Sequence, residues 1–125
     1  MGRVTGLGGV FFKASDPKKL QSWYETHLGL KGEGGPVMFR WREKDADKPG
    51  TTVWSIFSKD TKYFGNGKSS CMLNYRVDDM DAILARLAQE GIATEGRDDS
   101  EYGRFAWITD PEGNRIELWQ PPEGQ

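Results

Sequence analysis

An internal repeat constrains this chain more than any other feature. The segment GVFFKASDPKKL at residues 9–20 aligns with MLNYRVDDMDAI at residues 72–83 when 63 is added to each position. The same offset aligns TTVWSIF at residues 51–57 with NRIELWQ at residues 114–120. Chance similarity of two amphipathic segments does not account for helix and strand segments that match at one offset. The repeat therefore predicts a fold built from two copies of one supersecondary unit.

Each copy predicts a strand, a helix and then short strands. Asp16 is the predicted N-cap of the first helix and Gly29 its end, while the second helix begins at Asp78 or Asp79 and ends at Gly91. The first helix carries apolar residues at helical spacing, namely Leu20, Trp23, Tyr24 and Leu28. The predicted strands lie near residues 5–14, 37–42, 51–58, 71–77, 93–97, 104–109 and 115–120. The same offset aligns the turn segment DKPG at residues 47–50 with the turn segment DPEG at residues 110–113.

The length of 125 residues suits one domain with a real core and is too short for two ordinary domains. We predict a single α+β domain over residues 1–125. Its first module covers about 1–62, a linker with Gly65-Asn66-Gly67 covers about 59–70, and its second module covers about 71–125. The two tandem βαβββ modules are expected to form a curved mixed sheet around a cleft, with the helices on the outer face.

Charge and composition exclude several classes of partner. The net charge is −2 and the basic residues are interspersed with acidic ones, so no basic surface for nucleic acid is predicted. No apolar run approaches the ~20 residues that cross a bilayer, and the first residues lack the apolar core of a signal peptide. The single cysteine, Cys71, fits a reducing compartment and is predicted to be buried and inert. We therefore predict a cytoplasmic protein with no nucleic-acid or membrane partner.

Period-two alternation divides each strand into a helix-facing side and a cleft-facing side. The cleft side of the first strand and of its repeat has mixed polarity, and the last strand and its repeat equivalent add aromatic residues. This predicted surface contains Phe11, Lys13, Trp54, Ile56, Asn74, Arg76, Glu117 and Trp119. Aromatic walls with a few convergent polar groups are typical of a small-molecule site. The alternative is that Trp54 and Trp119 are ordinary core or dimer-interface residues.

The chain resembles the vicinal oxygen chelate superfamily, which includes glyoxalase I, bleomycin resistance proteins, fosfomycin resistance proteins and extradiol dioxygenases. The resemblance is carried by VFFKASDPKKLQSWYETHLGL, by its repeat LNYRVDDMDAILARLAQEGI, and most specifically by the closing DPEGNRIELWQP. It covers nearly the whole chain. It implies paired βαβββ modules assembled as a homodimer, and it implies less about activity because this fold hosts several chemistries.

The resemblance also implies where a divalent metal would be held. Enzymes of the superfamily chelate it through His, Glu or Gln side chains at repeat-equivalent strand positions, which here are Gly9, Met72, Trp54 and Glu117. Only Glu117 can ligate such a metal, since glycine has no ligand atom, the indole nitrogen only donates and a thioether suits soft ions. The single histidine, His27, falls near the end of the first helix. We therefore predict no metal and no other cofactor.

Glu117 is predicted to have a raised pKa, because a cleft between Trp54 and Trp119 would desolvate its carboxylate. It is then a candidate general acid or base, or an acceptor for a ligand hydrogen bond. In the alternative interpretation, Glu117 pairs with Lys13 or Arg76 or lies on a solvated rim.

Basic and aromatic residues around the cleft are further candidates. Lys13 and Arg76 are repeat equivalents that could hold a carboxylate or phosphate, as the resemblance implies, or could be solvated charges. The segment DDSEYGR at residues 98–104 is predicted to close over the pocket, with Tyr102 and Arg104 as its contacts.

Two functions follow from these features. In the first, the protein is a metal-independent, homodimeric binder of a small amphipathic molecule, of the glyoxalase and bleomycin resistance type. In the second, it is a lyase or isomerase similar to lactoylglutathione lyase that uses Glu117 as acid or base.

Overall fold

A computed structural model describes residues 2–32, 35–42, 48–65 and 69–125. Its elements are β1 (Val4–Ala14), α1 (Pro17–Leu28), β2 (Val37–Arg42), β3 (Pro49–Ser58), β4 (Cys71–Val77), α2 (Met80–Gln89), β5 (Gly96–Ser100), β6 (Gly103–Thr109) and β7 (Arg115–Gln120). The middle of the predicted linker, residues 66–68, and Asp47 of the DKPG turn lie outside the described residues.

One seven-stranded mixed sheet contains all of these strands, in the order β2-β3-β1-β4-β7-β6-β5. In each half the opening strand pairs in parallel with the last strand of the same half, β1 with β3 and β4 with β7. The halves join where β1 and β4 pair antiparallel. The predicted α+β class and its tandem βαβββ organisation are confirmed.

Aspartate caps begin both helices as the sequence predicts. The Asp16 and Asp79 side chains each accept a hydrogen bond from the backbone N–H three residues later, at 3.1 and 3.0 Å. Gly29 ends α1 with a φ of 70°, in the left-handed region that favours glycine. Asp79 is therefore the second cap, and Asp78 instead accepts from the backbone N–H of Arg3 at 2.8 Å.

The fifth strand departs from the prediction. It covers Gly96–Ser100 instead of 93–97 and pairs with β6 up to the contact of Ser100 with Gly103. Its charged sequence suits an edge strand, which needs protection against pairing with another chain. The segment at residues 98–104 thus forms a hairpin with its turn at Glu101 and Tyr102, and its closure over the pocket stays a prediction.

Burial is uneven between the two halves. The main core lies under α2 and contains Val77, Met80, Ile83, Leu84, Ala106, Ile108 and Leu118. In contrast, α1 has no buried residue, and Trp23 in its apolar stripe is 51% exposed. The prediction that Cys71 is buried is wrong, because α2 packs on Val77 at one end of β4 and Cys71 lies at the exposed other end. Neither helix in the described part of the chain has the length and hydropathy to cross a membrane.

Candidate ligand-binding site

The face of strand β3 that is directed to the cleft is the opposite of the one that the repeat predicts. The Trp54 ring lies 4.9 Å from the ring of Tyr24 on α1 and 5.4 Å from that of Phe12, so Trp54 faces the helix. The ladders explain this placement: Asn74 pairs with Glu117, whereas its repeat equivalent Phe11 pairs with Ser55.

Strand β3 therefore corresponds to β7 at an offset of 62 and not 63. A shift of one residue moves every side chain of a strand to the other face. The predicted cleft positions of Trp54 and Ile56 are wrong for this reason, and Ile56 lines a depression on the helix side together with Pro17 of α1. Val53 and Phe57 line the cleft instead.

A cavity of about 430 Å³ lies between the two halves of the sheet. Its largely apolar wall includes Phe11, Met38, Val53, Phe57, Phe105 and Trp119. Its buried polar residues are Glu117, Asn74 and Thr51, which are 1%, 2% and 3% exposed. The exposed Tyr102 contributes to the rim. The structure therefore brings together five of the predicted residues, whose role in binding stays a prediction: Phe11, Asn74, Tyr102, Glu117 and Trp119.

The three predicted basic residues lie elsewhere. The Lys13 amine is 5.4 Å from the centroid of the Phe64 ring, and Lys13 lines a depression beside α1. Arg104 forms an ion pair with Asp81 of α2 at 2.8 Å. These placements do not support a contact of Lys13 or Arg104 with a ligand in the cavity.

Arg76 is buried on the cleft side but outside the cavity wall. Its guanidinium lies 5.2 Å from the Trp41 ring and 5.5 Å from the Trp119 ring. It donates to the backbone oxygens of Thr51 at 3.3 Å and Gln125 at 2.6 Å. Arg76 thus supports one side of Trp119, and its predicted hold on an anion is not supported by contact with this cavity.

Both carboxylate oxygens of Glu117 accept hydrogen bonds. The Asn74 Nδ2 donates to Oε1 at 2.5 Å, the Trp107 Nε1 donates to Oε2 at 2.8 Å, and the Tyr63 hydroxyl also donates to Oε2. Tyr63 is positioned by stacking on Phe57, with 5.5 Å between ring centroids. Donors from β4, β6 and the segment after β3 therefore converge on one carboxylate of β7.

Burial raises the pKa of the Glu117 carboxyl, and the hydrogen bonds from Tyr63, Asn74 and Trp107 together with the charge of Arg115 partly oppose this rise. The predicted direction of the shift is confirmed, although Trp54 takes no part in the burial. The pKa of Tyr63 is also raised, first by burial and then by the adjacent Glu117.

This shift predicts a pH-dependent stability. The pKa of Glu117 is higher in the folded protein than in the unfolded chain. The contribution of this carboxyl to the free energy of unfolding is therefore fully present below the unfolded-state pKa and is lost as pH rises through the folded-state pKa. Relative to Glu117→Gln, the wild type should lose free energy of unfolding as pH rises above the ordinary carboxyl pKa of 4.5 and through the folded-state pKa, by at most about 1.4 kcal/mol per pH unit. Urea unfolding of both proteins across this range measures the difference, and a constant difference would contradict the shift.

The donor set of this site does not fit the divalent metal of the superfamily. A Cβ atom on Gly9 would lie 2.8 Å from the Phe11 ring and 2.9 Å from the Val53 carbonyl oxygen, so Phe11 fills the space of a first ligand. Met72 is buried in a cluster with Phe11 and Phe64. Glu117 already accepts three N–H or O–H donors. Across the residues that the structure describes, no three His, Cys, Asp or Glu side chains are grouped as metal ligands.

The sequence interpretation missed two residues that hold Glu117. Trp107 lies directly across the β6–β7 ladder from Glu117, and alternation along residues 104–109 could have placed it on the cleft face. Tyr63 follows β3 in a segment with no periodic pattern, so no local signal pointed to it.

Comparison with known proteins identifies a family and a fold. The sequence model of a glyoxalase-like domain matches residues 9–119. A methylmalonyl-CoA epimerase in complex with methylmalonyl-CoA and NH4+ superposes with a TM-score of 0.71 at 14% identity, covering 98% of this chain and 99% of the other. The methylmalonyl-CoA epimerase of Mycobacterium tuberculosis has a TM-score of 0.58 at 24% identity, covering 95% and 89%.

A variant methylmalonyl-CoA epimerase of Streptomyces coelicolor, in complex with 2-nitronate-propionyl-CoA, has a TM-score of 0.70 at 14% identity, covering 98% and 99%. Likeness at these identities establishes a shared fold. No curated protein sequence matches this chain significantly.

Proposed function

This chain belongs to the glyoxalase-like domain family, and we propose that it binds a small, largely apolar molecule without a divalent metal. The observation that carries this proposal is the cavity of about 430 Å³ with a largely apolar wall and three buried polar residues, Thr51, Asn74 and Glu117. Apolar concave sites of about 300–1,000 Å³ with few polar groups are typical of small-molecule binding.

The charges around the cavity favour a neutral ligand. Lys13 and Arg104 lie away from the wall, and Arg76 is packed between two tryptophan rings. Burial also raises the pKa of Glu117. A negative charge on this carboxyl is therefore less favourable, and the cavity attracts a cation less strongly. A homodimer and a cytoplasmic location, which accompanied this function in the sequence interpretation, stay predictions.

A second candidate function is proton transfer by Glu117, as in a lyase or isomerase. It is favoured by the hydrogen bond between Tyr63 and Glu117 at the cavity, because a carboxyl with a raised pKa suits general acid–base chemistry. The fold likeness to methylmalonyl-CoA epimerases agrees with this candidate. We place it second because both carboxylate oxygens of Glu117 are already engaged by donors.

A thermal-shift screen with neutral aromatic compounds tests the proposed binding, with methylmalonyl-CoA added as an anionic probe. We expect neutral compounds to raise the Tm of the wild type. A compound at 100 times its Kd should stabilise the protein by about 2.7 kcal/mol. Val53→Phe should abolish the shift by filling the cavity, and Trp119→Ala should weaken it by removing part of the wall.

Trp54→Phe is the matched control, because this tryptophan packs against α1 and not against the cavity. It should keep the ligand-induced shift. A screen without any stabilising compound, or a shift that survives in Val53→Phe, would refute the proposal. If a bound compound is converted and Glu117→Gln removes the conversion, the proton-transfer function is the correct one.

A further inference from the structure

Residues 121–125, which follow β7, fold back toward the cavity, and we call this segment the strap. Its turn is closed by the Gln125 N–H, which donates to the backbone oxygen of Pro122 at 3.2 Å. Gly124 in this turn has a φ of 87°, in the left-handed region. Two consecutive prolines, Pro121 and Pro122, stiffen the first part of the strap because each ring fixes φ. The strap therefore follows a defined path although it lies outside the sheet.

The strap lies between two depressions of the surface. Gln125 lines the apolar cavity, and it also lines a neighbouring, more polar depression of about 590 Å³. The charged residues that line this second depression are Lys48, Arg76, Asp78 and Glu123. Displacement of Gln125 would therefore join the apolar cavity to a compartment that contains a buried guanidinium.

Arg76 holds the strap through the backbone oxygen of Gln125, to which its Nη1 donates at 2.6 Å. Arg76 is 5% exposed, and its guanidinium lies between the rings of Trp41 and Trp119. A guanidinium forms its strongest hydrogen bonds with carboxylate and phosphate oxygens, so a ligand carboxylate would compete for this position. Because Gln125 is itself exposed, its displacement opens the same approach to Arg76 for a ligand.

We propose that the strap is an autoinhibitory contact that restricts the cavity to compact neutral ligands, because its Gln125 oxygen takes the place on Arg76 that a ligand carboxylate would occupy. This inference rests on the proposed function and adds a rule for ligand selection. With the strap in place, the anionic end of a ligand would be buried without an opposite charge, which is costly. With the strap displaced, an elongated amphiphile places its apolar chain in the cavity and its carboxylate on Arg76.

Octanol and octanoate form a matched probe pair, because their apolar chains are nearly the same and only octanoate is anionic. Their flexible chains adapt to the path between the cavity and Arg76. Titration calorimetry with the wild type should give a Kd for octanoate at least about tenfold higher than for octanol. In a shortened variant that lacks residues 121–125, this ratio should fall by about tenfold, since a charge-assisted hydrogen bond to Arg76 becomes available.

Gly124→Ala tests the strap without removing it. A side chain at a φ of 87° strains the turn of the strap, and no heavy atom of the described residues lies within 4 Å of the added Cβ. The ratio of the octanoate Kd to the octanol Kd should therefore fall by about fivefold. Gly113→Ala is the matched control, because Gly113 has the same φ of 87° and equally open surroundings but lies in the β6–β7 turn. It should keep the ratio of the wild type.

Arg76→Met in the shortened variant identifies the group that binds the carboxylate. Methionine is apolar and cannot donate a hydrogen bond, so the wild-type preference for octanol should return. Circular dichroism of each variant measures whether it is folded. If the shortened variant does not fold, the comparison of Gly124→Ala with Gly113→Ala decides the role of the strap.

The outcomes separate the two proposals. A ratio that is unchanged in the folded variants of the strap, or that Gly113→Ala lowers as much as Gly124→Ala, overturns the role of the strap and leaves the binding function intact. A lowered ratio that persists after Arg76→Met overturns the assignment of the carboxylate to Arg76. Absence of octanol binding by the wild type, together with a screen that yields no stabilising compound, overturns the binding function and this inference with it.

Discussion

Replacement of Glu117 by leucine should lower the free energy of unfolding by about 2–4 kcal/mol at pH 7. The carboxylate is the shared acceptor for Asn74, Trp107 and Tyr63, and leucine would leave the first two donors without a partner in a site that water does not reach freely. Each such donor costs about 1–3 kcal/mol. Removal of a buried carboxyl, whose ionised form is disfavoured by desolvation, offsets part of this cost. Urea unfolding monitored by tryptophan fluorescence measures the change.

Two further variants make this result specific. Glu112→Leu replaces an exposed glutamate of the β6–β7 turn and should change stability by no more than about 0.5 kcal/mol. Glu117→Gln should cost less than Glu117→Leu, because the amide oxygen still accepts from Trp107 and Tyr63. If Glu117→Leu were as stable as the wild type, the conclusion that three donors depend on this carboxylate would be wrong.

Substitution of Gly9 by alanine should destabilise the protein by about 1–3 kcal/mol. The added methyl would contact the Phe11 ring at 2.8 Å and the Val53 carbonyl oxygen at 2.9 Å, and the second of these is backbone that cannot move without disturbing the β1–β3 ladder. Gly9→His should cost more and should bind no stoichiometric Zn²⁺. Chemical unfolding and metal analysis after dialysis against Zn²⁺ give both results.

Gly35→Ala is the matched control for Gly9. A Cβ atom there meets no heavy atom of the described residues within 4 Å, and its φ lies outside the left-handed region. This variant should retain the stability of the wild type. Stoichiometric Zn²⁺ in Gly9→His, with stability preserved, would contradict the conclusion that Phe11 occupies the place of a first metal ligand.

Local patterns in the sequence predicted most of the fold and part of the site. The aspartate caps at Asp16 and Asp79 and the glycine that ends α1 depend only on neighbouring residues, so they were identifiable without tertiary information. Alternation along β1, β4 and β7 placed Phe11, Asn74 and Glu117 on the cleft side. These strands follow or lead into recognisable turns and caps, which fix the phase of the alternation.

The sequence by itself determined the two-fold repeat and the element order, and it placed Glu117 on the cleft side of its strand; its burial was decided by the tertiary structure. Only the tertiary structure decided which residues of β3 line the cavity, because one residue of difference in the connection between strands changes the face of each side chain. It also decided that Tyr63 and Trp107 hold Glu117. Such contacts join segments far apart in the chain, and their geometry depends on the paths of intervening loops that no local pattern records.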